Sequence, residues 1–129
     1  MRTLTTHTSN VVNEHIQIRV VDEPGHGGAC HHYSLSGFDT KNNDTPTIQR
    51  FSHTDIVFQN GPIAEAGVNG ITNESLLAVV IDRLEGFQSG PYACDANQLA
   101  LESLRGAMDA LLSRTQEREA RGVEGTHQV

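Results

Sequence analysis

The sequence predicts an α+β protein in which a small N-terminal antiparallel β-sheet precedes a C-terminal antiparallel helical hairpin. Two observations predict this class. The first half of the chain alternates apolar and polar residues, which is typical of strands, whereas the second half repeats apolar residues at helical spacing. A chain of 129 residues is long enough for one domain with a modest core.

We expect a single domain over residues 1–129, with internal boundaries set by changes in this pattern. The predicted segments are a loose arm at 1–12, a small antiparallel sheet at 13–60, a loop at 61–71, a helical hairpin at 72–122 and a tail at 123–129. The arm is polar and shows no period, and the loop is rich in glycine.

Three stretches carry the strand pattern. In HIQIRVVD, the residues Ile16, Ile18 and Val20 share one side, and the stretches CHHYSLSGFD and IQRFSHTDIVFQ alternate in the same way. The turn EPGHGGA separates the first two stretches, and the third ends at Asn60–Gly61. These features predict a small antiparallel sheet.

Two helices follow. Thr72 is a suitable N-cap for the first helix, and Gly90–Pro91 ends it. Asp95 and Gln98 resemble a capping box at the start of the second helix, which we expect to continue to a C′ glycine at Gly122. That helix would have ~26 residues and a length of roughly 39 Å. The short link between the helices predicts an antiparallel hairpin.

Three arginines follow the apolar stripe of the second helix. At 100° per residue, Arg118 lies about 20° from Leu111, and Arg114 and Arg121 lie about 60° and 80° away. The row predicts a bound anion such as a phosphate. The alternative is an exposed helix end, where arginine stems lie along the surface and Arg121 pairs with Glu117. We expect Arg118→Ala to leave the fold almost unchanged, because the sequence indicates no buried acid beside it.

Asn97 lies on the same face, 17 residues before Arg114. That separation is ~25 Å along a helix, so the two side chains cannot hold one small ligand within a single chain. Either they serve different sites, or two antiparallel chains bring them together. Phe87, near the link between the helices, either closes the core or stacks on a base.

The charge balance excludes some partners. The chain has 16 acidic residues against nine basic ones, which argues against long nucleic acid. Eight of the nine cations are arginine, whose planar fork suits discrete phosphate sites. We expect no membrane span and no secretion signal, since apolar runs of the required kind are absent, and we expect Cys30 and Cys94 to be free thiols.

The stretch HGGACHHY concentrates histidines, but it does not predict a metal site. On a strand, His31 and His32 would point to opposite faces, and no second cluster supplies further ligands. We therefore expect no metal, no cofactor and no catalytic residues. The alternative is a cyclic-nucleotide phosphodiesterase that uses His7 and His32, which both stand in H-x-S strings.

Four stretches in order carry a family resemblance: GGACHHY, FQNGPIAEAGVNGITNESLLAVVIDRL, FQSGPYAC and RTQEREARGVEGT. Together they resemble the phage Thoeris anti-defence proteins of the first type, whose helical hairpin is shared with anti-CBASS sponge proteins. The match covers roughly residues 15–38 and 52–127. Residues 1–14 and 39–51 have no counterpart.

The resemblance implies a sponge, not an enzyme, that acts in the cytoplasm of the infected bacterial host. Such proteins hold glycocyclic ADP-ribose signals, the 1''-2' and 1''-3' isomers made by TIR proteins, in a pocket between protomers. It implies a homo-oligomer, either a dimer or a hexamer built as a trimer of dimers. The family's pocket residues correspond to Phe87, Asn97, Arg114 and Arg118 here, and the helical geometry adds Arg121.

The resemblance also allows a second site for CBASS cyclic di- or trinucleotides. The glycine-rich turn and the loop after the third strand supply the candidates for it. These are His26, Gly27, Gly28, Gln59 and Asn60.

Overall fold

The computed structural model describes residues 1–45 and 49–126. The chain divides into two compact units, Met1–Asn60 and Gly61–Val129, where the sequence predicted one domain. The first unit is an antiparallel sheet and the second is helical, so the predicted α+β class is confirmed. The boundary between the units coincides with the predicted end of the sheet.

The sheet has four strands in the order β1-β2-β3-β4, and each strand pairs antiparallel with the next. The strands are β1 Arg2–Leu4, β2 Gln17–Val20, β3 His32–Ser36 and β4 His53–Val57. Single turns of 3-10 helix occur at Asn13–His15, His26–Gly28 and Thr40–Asn42.

The apolar side of the sheet supplies the core of this unit. Val20 of β2 lies opposite Tyr33 of β3, which lies opposite Ile56 of β4. Val20 is almost fully buried, and the Tyr33 ring contacts Phe58 edge to face with ring centroids 5.7 Å apart. The alternation that predicted the strands therefore sorts their side chains between two faces.

Residues 2–4 form a strand, so the prediction of a loose arm at 1–12 is wrong for that part. Leu4 pairs with Ile18, and Nε2 of His7 lies 2.6 Å from the carbonyl oxygen of Ile16. The strand has only three residues, which is too short to show a period of two. Its backbone instead satisfies the polar groups along the edge of β2.

The second unit contains three helices: α1 Ile63–Ala66, α2 Asn73–Gln88 and α3 Asp95–Ala120. The predicted N-cap of α2 is confirmed. Oγ1 of Thr72 accepts the backbone N–H of Ser75 at 3.1 Å, and Oγ of Ser75 accepts the backbone N–H of Thr72 at 3.0 Å. This reciprocal capping box fixes the start of the helix.

The expected capping box at the start of α3 is wrong. The helix begins at Asp95, one position earlier than expected, and its N-cap is Cys94, whose side chain caps nothing. The side chain of Gln88 accepts the backbone N–H of Cys94 at 2.9 Å, so the preceding helix holds this point of the chain. The helix still has 26 residues, as predicted.

Helices α2 and α3 form the predicted antiparallel hairpin. Gln88 contacts Gln98 beside the link at 3.5 Å, and Glu85 lies 3.7 Å from Arg105 farther away from it. The buried seam of α3 follows a repeat of three and four residues, and Leu101 at its start is 2% exposed. Its other members are Leu104, Met108, Leu111, Thr115 and Arg118.

Candidate functional site

Four side chains meet where the two long helices join. Arg83 places its guanidinium carbon 5.0 Å from the ring centroid of Phe87, one turn later in α2. The ring of Tyr92 contacts Phe87 edge to face, with centroids 6.3 Å apart. Asn97 donates from Nδ2 to the carbonyl oxygen of Tyr92 at 3.4 Å. We call Arg83, Phe87, Tyr92 and Asn97 the loop-end cluster.

The loop-end cluster has the chemistry of a base-binding surface. Tyr92 is 73% exposed and Phe87 is half-buried, so aromatic surface is accessible beside an amide and a guanidinium. Aromatic rings stack on bases, and amides read their polar edges. The sequence predicted Phe87 and Asn97 as site residues but not Arg83 and Tyr92. The spacing of four residues between Arg83 and Phe87 was a signal that could have revealed one of them.

Arg118, at the other end of α3, is buried among groups of its own chain. Its Nε donates to Oε2 of Glu124 at 2.9 Å, and its Nη2 donates to the carbonyl oxygens of Val123 at 3.1 Å and Thr126 at 3.4 Å. The Arg118 side chain is 8% exposed and the Glu124 side chain is 36% exposed. The arginine therefore continues the seam as a buried cation.

A reversal of the chain brings these groups back to Arg118. Gly122 adopts a φ of 74°, the left-handed conformation that favours glycine after a helix. The backbone N–H of Val123 donates to the carbonyl oxygen of Arg118, and that of Gly122 donates to Glu119, both at 3.0 Å. This pair of bonds is a Schellman motif, which turns the following residues onto the last turn of α3. The predicted C′ role of Gly122 is confirmed.

The contacts of Arg118 correct one expectation from the sequence. We expected no acid beside this arginine and hence little effect of Arg118→Ala on the fold. Glu124 is that acid, and Val123, which is 8% exposed, belongs to the core that the reversal forms. Removing Arg118 would break this partly buried ion pair and take a donor from two backbone carbonyl oxygens, so this arginine contributes to stability as well.

The other two arginines of the row are exposed. Arg121 pairs with Glu117 one turn earlier, as the sequence suggested, and its side chain remains 46% exposed. Arg114 is exposed, and within residues 1–45 and 49–126 its side chain has no hydrogen bond or ion pair. We call Arg114, Arg118 and Arg121 the C-terminal arginines. They oppose the partial negative charge of the helix C-terminus, which would otherwise repel an anion.

The predicted site residues fall into two groups within one chain. Phe87 and Asn97 belong to the loop-end cluster, and the C-terminal arginines lie at the far end of α3. Because α3 is continuous from Asp95 to Ala120, the 17 residues from Asn97 to Arg114 span ~25 Å. One small ligand cannot contact both groups of the same chain.

The second-site candidates lie at one end of the sheet. The turn with His26, Gly27 and Gly28 follows β2, and Gln59 and Asn60 follow β4. Strands β2 and β4 both run antiparallel to β3, so their ends lie on the same side of the sheet.

A carboxylate fixes the backbone next to that turn. Asp22 accepts the backbone N–H groups of His31 at 2.9 Å and His32 at 3.1 Å. The bond from His31 is the main reason that the pKa of Asp22 lies below its ordinary value of 3.8. Residue His31 is buried, and its Nδ1 faces Gly25, so this nitrogen is not presented to a ligand.

The two histidines of the phosphodiesterase alternative lie far apart. His7 contacts the carbonyl oxygen of Ile16, next to the end of β3 that contains Ser36. His32 stands at the other end of β3, ~13 Å along the strand, and its Nε2 lies 2.9 Å from Oδ1 of Asp55. The two rings do not share one position where a phosphodiester could bind.

Residues 1–45 and 49–126 provide neither a metal cluster nor a helix suited to cross a membrane. Over those ranges, the His, Cys, Asp and Glu side chains form no group of three that could hold a metal ion. The helices there lack the combination of length and apolar character that a membrane crossing requires.

Two comparisons connect these features to known proteins. Residues 52–116 match the family model "Acb2/Tad1, hairpin domain", which covers about half of the chain. The protein Thoeris anti-defense 1 of Bacillus phage SBSphiJ7 is 42% identical over 99 residues, which is 75% of this chain and 67% of the relative. The family model includes the loop-end cluster and Arg114 but ends before Arg118.

Proposed function

The chain belongs to the Acb2/Tad1 hairpin family of phage anti-defence proteins, and on that premise we propose that it sequesters glycocyclic ADP-ribose signals. The proposed ligands are the 1''-2' and 1''-3' isomers made by TIR proteins. Holding them in the cytoplasm of the infected host would keep them from their effector and block Thoeris immunity. The ligand would be bound and released intact.

The observation that carries this proposal is the separation of two complementary groups on α3. The loop-end cluster offers aromatic surface and an amide, which suit an adenine base and ribose. The C-terminal arginines offer guanidinium groups, which suit a diphosphate. ADP-ribose carries both kinds of group in one molecule, so a complete site requires two chains with antiparallel α3 helices.

Exposed apolar residues on the hairpin support self-association. Val79 and Val80 of α2 are 64% and 45% exposed, and Leu99 and Leu112 of α3 are 60% and 43% exposed. Covering such side chains stabilises an interface between copies. We propose a dimer as the functional unit, which is also the building block of a hexamer formed as a trimer of dimers.

The proposed action is binding without catalysis. The candidate site supplies guanidinium groups, an amide and aromatic rings. None of these groups takes or gives a proton readily near neutral pH, which an acid–base hydrolase requires. Sequestration needs only a stable complex in an amount that matches the signal.

A second candidate function is binding of CBASS cyclic di- or trinucleotides by the sheet unit. The turn with His26, Gly27 and Gly28 and the loop with Gln59 and Asn60 lie at the same end of the sheet, which favours this position. Substitution of Asn60 would then weaken binding of a cyclic trinucleotide and leave glycocyclic ADP-ribose unaffected.

Recovery of the ligand tests sequestration. The protein is incubated with glycocyclic ADP-ribose, free ligand is removed by filtration, and the complex is denatured by heat. We expect the released material to be intact and to reactivate the effector. Recovery of linear ADP-ribose, with catalytic amounts of protein consuming the whole pool, would identify a hydrolase instead.

A further inference from the structure

The guanidinium of Arg118 already has an anion as its partner. The Glu124 carboxylate receives its Nε at 2.9 Å, and two backbone carbonyl oxygens receive Nη2. With 8% of the side chain exposed, Arg118 meets a phosphate only after one of these groups has moved. Glu124 is the group that resembles a ligand, because it carries a negative charge.

The reversal of the chain places Glu124 there and still allows it to leave. Its flanking residues are fixed by the Schellman motif and by the carbonyl oxygen of Gly125, which accepts the backbone N–H of Ala64 at 3.3 Å. The Glu124 side chain itself is 36% exposed and reaches water at once when it rotates away. Helix α3 keeps its backbone bonds when this happens, so the exchange of partners requires no unfolding.

We propose that Glu124 is a specificity-determining residue, an internal anion that competes with the ligand's phosphate for Arg118. The proposal rests on the proposed function, since it takes Arg118 as part of the ligand site. An incoming monoanion only replaces one charge-assisted hydrogen bond with another and gains little. A diphosphate displaces Glu124 and also binds an exposed guanidinium such as that of Arg114. The competition therefore selects ligands with two linked phosphates over single anions.

Glu124→Gln tests this competition because it keeps the length of the side chain and an oxygen that accepts from Nε, while it removes the charge. The probes are inorganic phosphate, inorganic diphosphate and glycocyclic ADP-ribose, each measured by calorimetry. We expect the variant to bind phosphate about five-fold more tightly than the wild type, and to prefer diphosphate over phosphate less strongly.

The matched control is Glu117→Gln. Glu117 lies between Arg114 and Arg118 in the sequence, and its carboxylate pairs with Arg121. The substitution therefore removes the same charge near the C-terminal arginines without removing a partner of Arg118. Its effect measures the general change in electrostatic potential, which also favours anions. The competition would be overturned if both variants gained the same affinity for phosphate, or if Glu124→Gln bound phosphate more weakly than the wild type.

The NMR signal of the Glu124 side-chain carboxylate carbon provides a second readout that does not depend on the natural ligand. Addition of diphosphate should move this signal towards that of a solvent-exposed glutamate in the wild type, because the carboxylate gives up its hydrogen bond from Nε of Arg118. An unchanged Glu124 signal with diphosphate bound would mean that Glu124 stays in place, which contradicts the proposal.

The experiments separate this inference from the proposed function. If the anion effects occur but glycocyclic ADP-ribose does not bind, the competition is supported and the proposed ligand is wrong. If glycocyclic ADP-ribose binds and Glu124→Gln matches Glu117→Gln for every probe, the ligand stands and the competition fails. If neither the wild type nor Glu124→Gln binds any of the three probes, both the proposed ligand and the competition are wrong.

Discussion

Arg83 covers one face of the Phe87 ring, with its guanidinium carbon 5.0 Å from the ring centroid and one helical turn away along α2. This contact holds the ring beside Tyr92 and leaves less freedom for its orientation. A base that stacks on Phe87 therefore meets a ring that is already oriented, which lowers the entropy lost on binding.

Phe87→Ala should weaken binding of glycocyclic ADP-ribose by about 1–3 kcal/mol, the range for loss of one stacking partner. Arg83→Ala should weaken it less, since the ring remains but loses its support. Isothermal titration calorimetry measures both, and Asp44→Ala, on an exposed part of the sheet unit, is the control. Binding that is unchanged in Phe87→Ala would exclude the loop-end cluster from the site.

Arg118→Ala and Arg114→Ala should differ in stability. Loss of Arg118 removes a partly buried ion pair and two further hydrogen bonds, so the free energy of unfolding should fall by about 2 kcal/mol. Arg114 is exposed, and its replacement should change stability by less than about 0.5 kcal/mol. Both variants should bind ligand more weakly. Urea unfolding gives the first comparison, and equal stabilities would show that the Arg118 contacts contribute nothing.

Mixing two defective chains tests the site between protomers. Asn97→Ala and Arg114→Ala each damage both sites of a homodimer, but a mixed dimer has one site that combines the intact Asn97 and the intact Arg114. Random exchange at equal amounts should restore roughly a quarter of the wild-type sites. Calorimetric stoichiometry measures the restored fraction after subunit exchange. No recovery, with exchange verified by mass spectrometry, would exclude a shared site.

Thr72→Ala should destabilise the hairpin because it removes the N-cap of α2. It removes the oxygen that accepts the backbone N–H of Ser75 and should cost about 1 kcal/mol. Thr72→Ser retains the hydroxyl and should restore most of the loss. Thermal unfolding followed by circular dichroism gives the comparison. If the serine variant is as unstable as the alanine variant, the capping hydroxyl is not the cause.

The sheet unit should lose stability in acid. The backbone N–H of His31 holds the pKa of Asp22 below its ordinary value of 3.8, and the Arg50 guanidinium does the same for Asp39. A lowered pKa in the folded state adds stability above pH 3.8, and that stability is lost as the pH falls through the folded value. Asp22→Asn should therefore lower Tm at pH 7 but hardly at about pH 2. The control is Asp109→Asn, at an exposed position of α3. If the Tm of Asp22→Asn stays below that of the wild type in acid as well, this mechanism is contradicted.

The helical half could be predicted from sequence because its period is long and unbroken. The repeat through Leu101 and Leu111 predicts which face of α3 packs inward and that this face continues to Arg118. Leu101 and Arg118 are buried and Leu111 is half-buried. The strand at Arg2–Leu4 could not be predicted this way, since pairing of three residues depends on the free edge of β2 rather than on their own pattern.

The partner of Arg118 was missed for a different reason. Glu124 lies beyond the helix, where periodicity no longer applies, and only the backbone reversal at Gly122 brings it back. The signal was present in the sequence, because a C′ glycine followed by an apolar residue such as Val123 is typical of a Schellman motif. Helix-capping rules thus predict contacts that side-chain periodicity cannot.

The same reversal bears on how the protein is labelled and immobilised. A tag attached after Val129 is separated by only three residues from Thr126, whose carbonyl oxygen accepts from Arg118. The exposed thiol of Cys94, a convenient attachment point for a dye, lies three positions before Asn97. Both common handles therefore adjoin one half of the candidate site. A cysteine introduced at Asp44, an exposed residue of the sheet unit, places the probe outside the hairpin.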